Sequence, residues 1–448
     1  MVRERAGLLG ALRLHFARTA VWLQAGKYVA AVMSDLPERN GWSIAQFAGD
    51  ATPDKTQRLL NHASWDTLGA MSSVRKFAVA GLDEAARRSR RPGGMRIGVL
   101  DETGQEKSGT ATAGVKRQYL GCAGRVANGI NTVHLAYARE GTGHALIAAR
   151  QWIPREQAAD EAVAQATGLP AGLVSETKGD LAIGLCADAY ADGIGLDFIC
   201  GDEVYGSSTR LRAYLEGQQQ AYVLRVASSH MLTLAGGVKL TCKDAVKRLV
   251  TDERWETRPA GTGSKGQRWY DWALIATASP RHVLLIRRHL KTGDLAFHYC
   301  YAPEARLLTM ARLVRAAGLR WPVEENFEFG KDCFGLDQCQ ARLYTAILRH
   351  IVLVMAALAV CAVTAATLRK RTGSQAPPPV TPDQAPPADP GIIPLTVPEI
   401  RRITAALTTR PQPFRHVAHW DDWTRRHQAR SGWFHQRARL KRDYALVS

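Results

Sequence analysis

The sequence predicts an α/β protein: a core of strands and helices interrupted by a second, β-rich unit, with a helical segment ahead of it and a basic segment behind. Three observations carry this. Apolar residues recur at three-to-four spacing over residues 1–94, alternate after the Pro92-Gly93-Gly94 breaker, and return to helical spacing from about Glu304.

In chain order, Gly7 to Leu23 and Thr56 to Leu60 have helical spacing, with Pro37 and Pro53 at boundaries. Thr52 reads as a helix cap with Pro53 in the first turn. Arg87, Arg88, Arg90 and Arg91 lead into the Pro-Gly-Gly boundary. Met95 to Leu100 reads as a short apolar strand ending at Asp101. Asn131 to Ala138 and His144 to Trp152 alternate as strands about a Glu140-Gly141-Thr142-Gly143 turn. Asp197 to Cys200 reads as a strand ending at Gly201-Asp202, Ser207 to Glu216 as the helix behind it, and Ala221 to Ala227 as a further strand. These complete the first part of the core, 95–227. Residues 228–310 form the β-rich insertion, with strands at Trp269 to Thr277 and His282 to Arg288. Helices resume over 311–370. Residues 371–394 are a Pro-rich linker, expected to be extended or disordered, and 395–448 are a basic tail with eleven Lys and Arg against four Asp and Glu.

Hydrophobic residues at 46% and charged residues at 22% exclude a largely disordered chain. The formal charge of +18 and pI near 9.8 imply attraction to polyanions, nucleic acid first and anionic membrane second. Eight cysteines with no C-x-x-C exclude a disulfide scaffold or zinc ribbon and point to the reducing cytosol. Met1 to Gly26, broken by Arg3, Arg5, Arg13 and Arg18, does not read as a secretion signal. Ile351 to Leu368 is long enough to span a membrane, but it is Ala-rich and interrupted by Thr, so a helix buried in a large core is preferred. The histidines His134, His144, His298 and His350 lie in apolar elements at no ligand spacing and read as structural.

The chemistry lies in the acids. Asp101 and Asp202 each close a short apolar strand, the rim of a sheet where ligands and metals bind. Taken singly, each reads as a strand terminator or a helix cap. On the helix that begins near Pro322, Glu324, Glu328 and Lys331 share one face, which read alone is a solvated, salt-bridged surface. Together, a helix-borne Glu can complete a metal site begun by two strand carboxylates, and Lys331 can hold a phosphate as a point charge.

Arg320, Glu324 and Lys331, separated by three and six residues, resemble the Arg-x3-Glu-x6-Lys half of the signature of DDE-type bacterial insertion-sequence transposases. The Tyr of that signature falls on Ala317. Leu100-Asp101-Glu102-Thr103-Gly104, Gly114-Val115-Lys116-Arg117-Gln118-Tyr119, Gly201-Asp202-Glu203-Val204-Tyr205-Gly206 and Gly335-Leu336-Asp337-Gln338 resemble the insertion-sequence seven-hundred-and-one branch. So do Glu38-Arg39-Asn40-Gly41-Trp42, Gln57-Arg58-Leu59-Leu60 with Trp65-Asp66, and Leu395-Thr396-Val397-Pro398-Glu399-Ile400.

The resemblance implies an RNase H-like catalytic core interrupted by a β-rich insertion, with Asp101, Asp202 and Glu324 as catalytic, metal-binding residues. Glu325 is the near alternative, and the six-residue gap to Lys331 selects Glu324. The cofactor implied is Mg²⁺ (or Mn²⁺), as two ions serving hydrolysis at the element ends and then attack of the freed 3′-hydroxyl on target DNA. The partner is double-stranded DNA, both terminal repeats and target, and pairing two ends calls for a homodimer on DNA. The expected setting is cytoplasmic, at the nucleoid, with no membrane. Residues 1–94 are the expected DNA-binding domain. Arg320, Lys331, Lys107, Lys116 and Arg117 are expected DNA contacts. Among Trp255, Trp269 and Trp272, Trp269 is the choice for stacking on a displaced base, although a strand Trp commonly belongs to a core. A transposase-derived DNA-binding protein without cleavage is the competing reading.

Overall fold

The computed structural model describes residues 2–89, 94–263, 266–376, 384–408 and 411–445. The boundary expected at residues 90–93 and part of the Pro-rich linker lie outside them.

Five helices open the chain: α1 (Val2–Leu12), α2 (Thr19–Val32), α3 (Gly41–Phe47), α4 (Asp54–Asn61) and α5 (Thr67–Arg87). The cap of α4 falls one residue later than Thr52. Pro53 is the N-cap, and the Thr52 hydroxyl donates to Asp54 Oδ2 at 2.8 Å. Capping is clearer at α3, where the Asn40 side chain accepts from the Trp42 and Ser43 amides.

Next come β1 (Arg96–Glu106), β2 (Lys116–Leu120), β3 (Arg125–Arg139) and β4 (Gly143–Gln151), then α6 (Arg155–Ala159), α7 (Glu161–Thr167) and α8 (Lys178–Ala191). β5 (Phe198–Gly201), α9 (Glu203–Ser207), α10 (Thr209–Gly217) and β6 (Tyr222–Val226) follow. β7 (Met231–Thr233), β8 (Lys239–Thr241) and α11 (Cys242–Leu249) precede β9 (Glu256–Gly263), β10 (Gly266–Ala276), β11 (His282–Arg288) and β12 (Leu295–Tyr301). The chain closes with α12 (Met310–Gly318), α13 (Pro322–Phe334), α14 (Tyr344–Thr372), α15 (Val397–Thr408) and α16 (Phe414–Ala445).

The fold is mixed α/β, and ten of the strands form one sheet in the order β2-β3-β1-β5-β6-β12-β11-β10-β9, with β4 paired to β3. β1 runs antiparallel to β3 and parallel to β5, and β5 runs parallel to β6. Strands β9 to β12 of the expected β-rich insertion, residues 228–310, continue this sheet. Strand β12 pairs with β6, Phe297 opposite Val226 through Tyr301 opposite Tyr222, so the later strands extend the core sheet. Only β7, β8 and α11 stand aside, over a satellite core of Leu232, Cys242, Val246, Ile275, Leu284 and Ile286 on one face of that extension.

The N-terminal helices do not form a core of their own either. Leu8, Val29, Val74, Val99, Leu146 and Leu353 belong to a single apolar cluster. Its axis is α14, buried at every residue from Ala346 to Thr364 against α1, α2, α4, α5, α13, α15 and β4. The helix is long and apolar enough to cross a membrane, but here protein encloses it, as a core helix that is apolar all round requires.

In the C-terminal part, the described ends of the linker meet, the amides of Ser374 and Ala376 donating to the carbonyls of Ile392 and Pro390. The tail is helical, and its first turns dock on the N-terminal helices. Trp420 Nε1 donates to the Asp50 carbonyl at 3.0 Å, and Trp423 meets Trp42 edge to face at 4.8 Å. Those aromatics therefore serve packing.

Candidate active site

Asp101 lies in the middle of β1, not at its end, because the polar stretch Glu102 to Glu106 keeps its pairing with β3. The strand's other edge explains why the position is still a rim. Pairing with β5 stops at Leu100 opposite Gly201, so the next residues, Asp101 and Asp202, emerge where β5 ends. Asp202 caps α9, its Oδ1 accepting from the Val204 amide at 2.9 Å. Gly206 lets α9 lie on β6, since a Cβ there would come 1.7 Å from the Arg225 carbonyl oxygen.

The third carboxylate arrives on α13, with Trp321 as N-cap residue and Pro322 in the first turn. Gly335, at φ 69°, ends the helix in the left-handed conformation. Glu324 and Glu325 diverge from the first turn. Glu325 Oε2 pairs with His144 Nε2 at 3.0 Å, and His144 Nδ1 meets Asn326 Oδ1 at 3.0 Å, which ties α13 to β4. Glu324 instead faces Arg320, whose Nη1 stands 3.1 Å from Asp101 Oδ2 and 3.5 Å from Glu324 Oε1.

Arg320 thus joins Asp101 and Glu324, and Asp202 lies close enough for its charge to act on Asp101. Asp101 is the inner member, 13% exposed against 47% for Glu324. Burial pushes the Asp101 carboxyl up to about 7; Arg320 opposes this, while Asp202 and Glu324 add to it. Asp202 is raised by burial and by Glu102 beside it. Glu102 is held in turn by the Lys178 ammonium and by the Tyr205 hydroxyl, which donates to its Oε2 at 2.9 Å.

Among the described residues no three His, Cys, Asp or Glu side chains form a ready coordination shell, and Arg320 stands between Asp101 and Glu324. The three side chains offer carboxylate oxygens from three elements, the donor type a hard divalent cation takes, and burial is the main cause that raises Asp101 and Asp202.

The other expected contacts separate. Lys331 lies farther along α13, half-buried beside His134. Lys107 turns inward, its ammonium on the Cys339 carbonyl and its pKa lowered by burial, so it does not reach toward DNA. Lys116 pairs with Glu156 at 2.5 Å, while Arg117 is exposed on β2. Of the tryptophans, Trp272 is a core residue, Trp255 lies under Arg288 at 4.2 Å, and Trp269 is 48% exposed. The sequence reading missed Trp321, 49% exposed beside Arg320 with Arg268 over its ring at 5.3 Å; its place just before the helix-starting Pro322 was the available signal. It also missed the Lys178–Glu102–Tyr205 set. His134, His298 and His350 are buried and held well below the usual histidine range by desolvation, as structural residues would be.

Comparison with known proteins agrees with this geometry. The profile described as DDE superfamily endonuclease matches residues 13–256, more than half of the chain, and that of the transposase DDE domain matches 167–360. The chain belongs to the DDE superfamily endonucleases. Among curated proteins it is similar to a DDE-type insertion-sequence transposase. It is 26% identical over 213 residues to the probable transposase for insertion sequence element IS701 of Microchaete diplosiphon, a match covering 47% of this chain and 50% of that protein. The chain thus spans about half the length of this curated relative. The two profiles together take in Asp101, Asp202 and Glu324.

Proposed function

We propose that this chain binds the terminal repeats of an insertion sequence, cleaves the phosphodiester bonds at its ends, and joins the freed 3′-hydroxyls to target DNA. The observation that carries the reading is that Arg320 joins Asp101 and Glu324, with Asp202 close enough for its charge to act on Asp101. An RNase H-like core is supported by the run β4-β3-β1-β5-β6, where the first three strands alternate in direction and the last two run parallel to β1.

Asp101, Asp202 and Glu324 would hold Mg²⁺ or Mn²⁺, as two ions in this reading, supplying an activated nucleophile and charge compensation at the leaving oxygen. The chain's own groups set the geometry. Asp101 and Asp202 are fixed by adjacent strands, and Glu324 by a helix that His144 ties to β4. Arg320 neutralises the carboxylates of the metal-free chain and, once released from them, is placed to hold a phosphate oxygen. Lys331 and Arg117 add phosphate contacts, and Trp269 offers an exposed ring on which a displaced base stacks. Two copies bring two DNA ends together, in the cytoplasm where the nucleoid lies.

The test is incubation with DNA spanning the element's flanks and Mg²⁺, followed by mapping of cut ends. Cuts at the element boundaries that disappear in Asp101→Asn support the reading. Uncut DNA that is nonetheless bound would favour a transposase-derived DNA-binding protein.

A further inference from the structure

The strands that extend the sheet carry a feature that the triad does not explain. Strand register places Arg225 on β6 opposite His298 on β12, and His298 opposite Leu285 on β11. Arg287, two residues after Leu285, is on that same face and is paired with Trp272 on β10. Arg268 follows on β10, over the Trp321 ring and donating to the Gly318 carbonyl at 3.4 Å. Three arginines from three strands thus share the face that ends at Trp321 and Arg320, beside the triad.

Little on that face neutralises them. Arg225 pairs with Glu203 at 3.2 Å and the Glu325 carboxyl feels the Arg268 charge, but among the described residues neither Arg287 nor Arg268 has a carboxylate within salt-bridge distance. The Nε atoms of both are buried without an acceptor. Arg287 lies over Tyr270 at 4.6 Å; burial lowers its pKa, Tyr270 opposes this, and the charges of Arg225, Arg320 and Arg268 add to the lowering. With Arg225 and Arg320 each on a carboxylate, Arg268 and Arg287 keep buried Nε groups without an acceptor, which an anion would supply.

We infer that this arginine row is a track for the phosphodiester backbone of the DNA strand adjoining the cut, seating two or three consecutive phosphates. From β6 across β12 and β11 to β10 is three strand spacings, roughly 14 Å, which matches that number of phosphates. Guanidinium forks suit phosphate oxygens, and the row leads directly to the carboxylates that would act on the bond. The assignment rests on the proposed function for the identity of the anion and gives the sheet extension its own role, holding the strand.

The experiment measures affinity for a duplex carrying the element end, in EDTA across a range of KCl, so that no cleavage is needed. Arg287→Gln is expected to weaken binding about tenfold at low salt and to reduce the slope of log K against log salt by about one. Arg287→Lys is expected to keep the slope, and Arg225→Gln to repeat the loss, with thermal melts verifying that each variant is folded. A single neutral methylphosphonate among the phosphates adjoining the cut is expected to abolish the difference between wild type and Arg287→Gln. Unchanged slopes in Arg287→Gln and Arg225→Gln would overturn the track, even if the wild-type protein cuts DNA. Failure of the wild type to cut, with the slopes still altered, would instead remove the proposed catalysis and leave the track standing.

Discussion

The two halves of the sheet are hydrogen-bonded without a break, yet they differ in every other respect. The half built from β4, β3, β1, β5 and β6 is packed on α5, α8 and α14 and carries acids where β5 ends. The half built from β12, β11, β10 and β9 has one face on the main core and the other on a small satellite core, and it carries arginines and the exposed Trp269. The difference separates two physical tasks. Crowded carboxylates need a rigid, dehydrated frame that holds like charges together. A polyanion needs guanidinium groups that still lack acceptors.

The largest expected effect lies in the acidic half. Asp101→Asn, Asp202→Asn or Glu324→Gln should each lower the cleavage rate by about a hundredfold or more, above the ten- to hundredfold typical of losing a supporting residue. The same loss from a change in β9–β12 would break the contrast. Stability should divide the halves next. Leu353→Ala, within α14, should cost about 2–5 kcal/mol and lower the global unfolding free energy. Ile286→Ala, in the satellite core, should speed hydrogen exchange in β9–β12 first while β1, β3 and β4 stay protected. Uniform acceleration in both variants would make the sheet a single cooperative unit.

A smaller effect should come from Trp269→Ala, with DNA affinity reduced by about 1–3 kcal/mol and the melting temperature unchanged. Trp272→Ala should do the reverse, because that ring is buried and donates to the Arg258 carbonyl at 3.2 Å. The smallest effect concerns pH. Burial pushes the Asp192 carboxyl up, but hydrogen bonds from Lys76, Ser72 and Arg75 more than offset this and leave it below the usual range. Its contribution is therefore present above the unfolded value of about 4 and lost as pH falls through the lower folded value. Denaturant titrations of the wild type and Asp192→Asn should differ near neutral pH and converge in acid.

Periodicity disclosed much of this architecture. The strands around 131–152, the strand 282–288 and the helices after 304 lie close to their expected positions, because each has its own apolar pattern. The rest depends on partners far away in sequence. β1 continues past Asp101 because β3 pairs with a polar stretch, and β12 joins β6 across an interval that no local pattern reveals. A strand end marks Asp202 and a helix start marks Glu324, whereas β1 runs on past Asp101 and no strand end marks it. Lys107 was misread, since a basic residue after a strand looks free until the Cys339 carbonyl is brought to it by the turn after α13. The arginine row was missed because its members are spread over β6, β10 and β11 and meet only through register.

The central claim is that the three carboxylates act as one cation site from which Arg320 can be displaced. Titration of Mn²⁺ into the DNA-free protein, followed by electron paramagnetic resonance, tests this without any cleavage. The wild type should bind Mn²⁺, Asp101→Asn, Asp202→Asn and Glu324→Gln should each lose that binding, and Glu325→Gln should retain it. Equal Mn²⁺ binding by the wild type and all three triad variants would contradict the account.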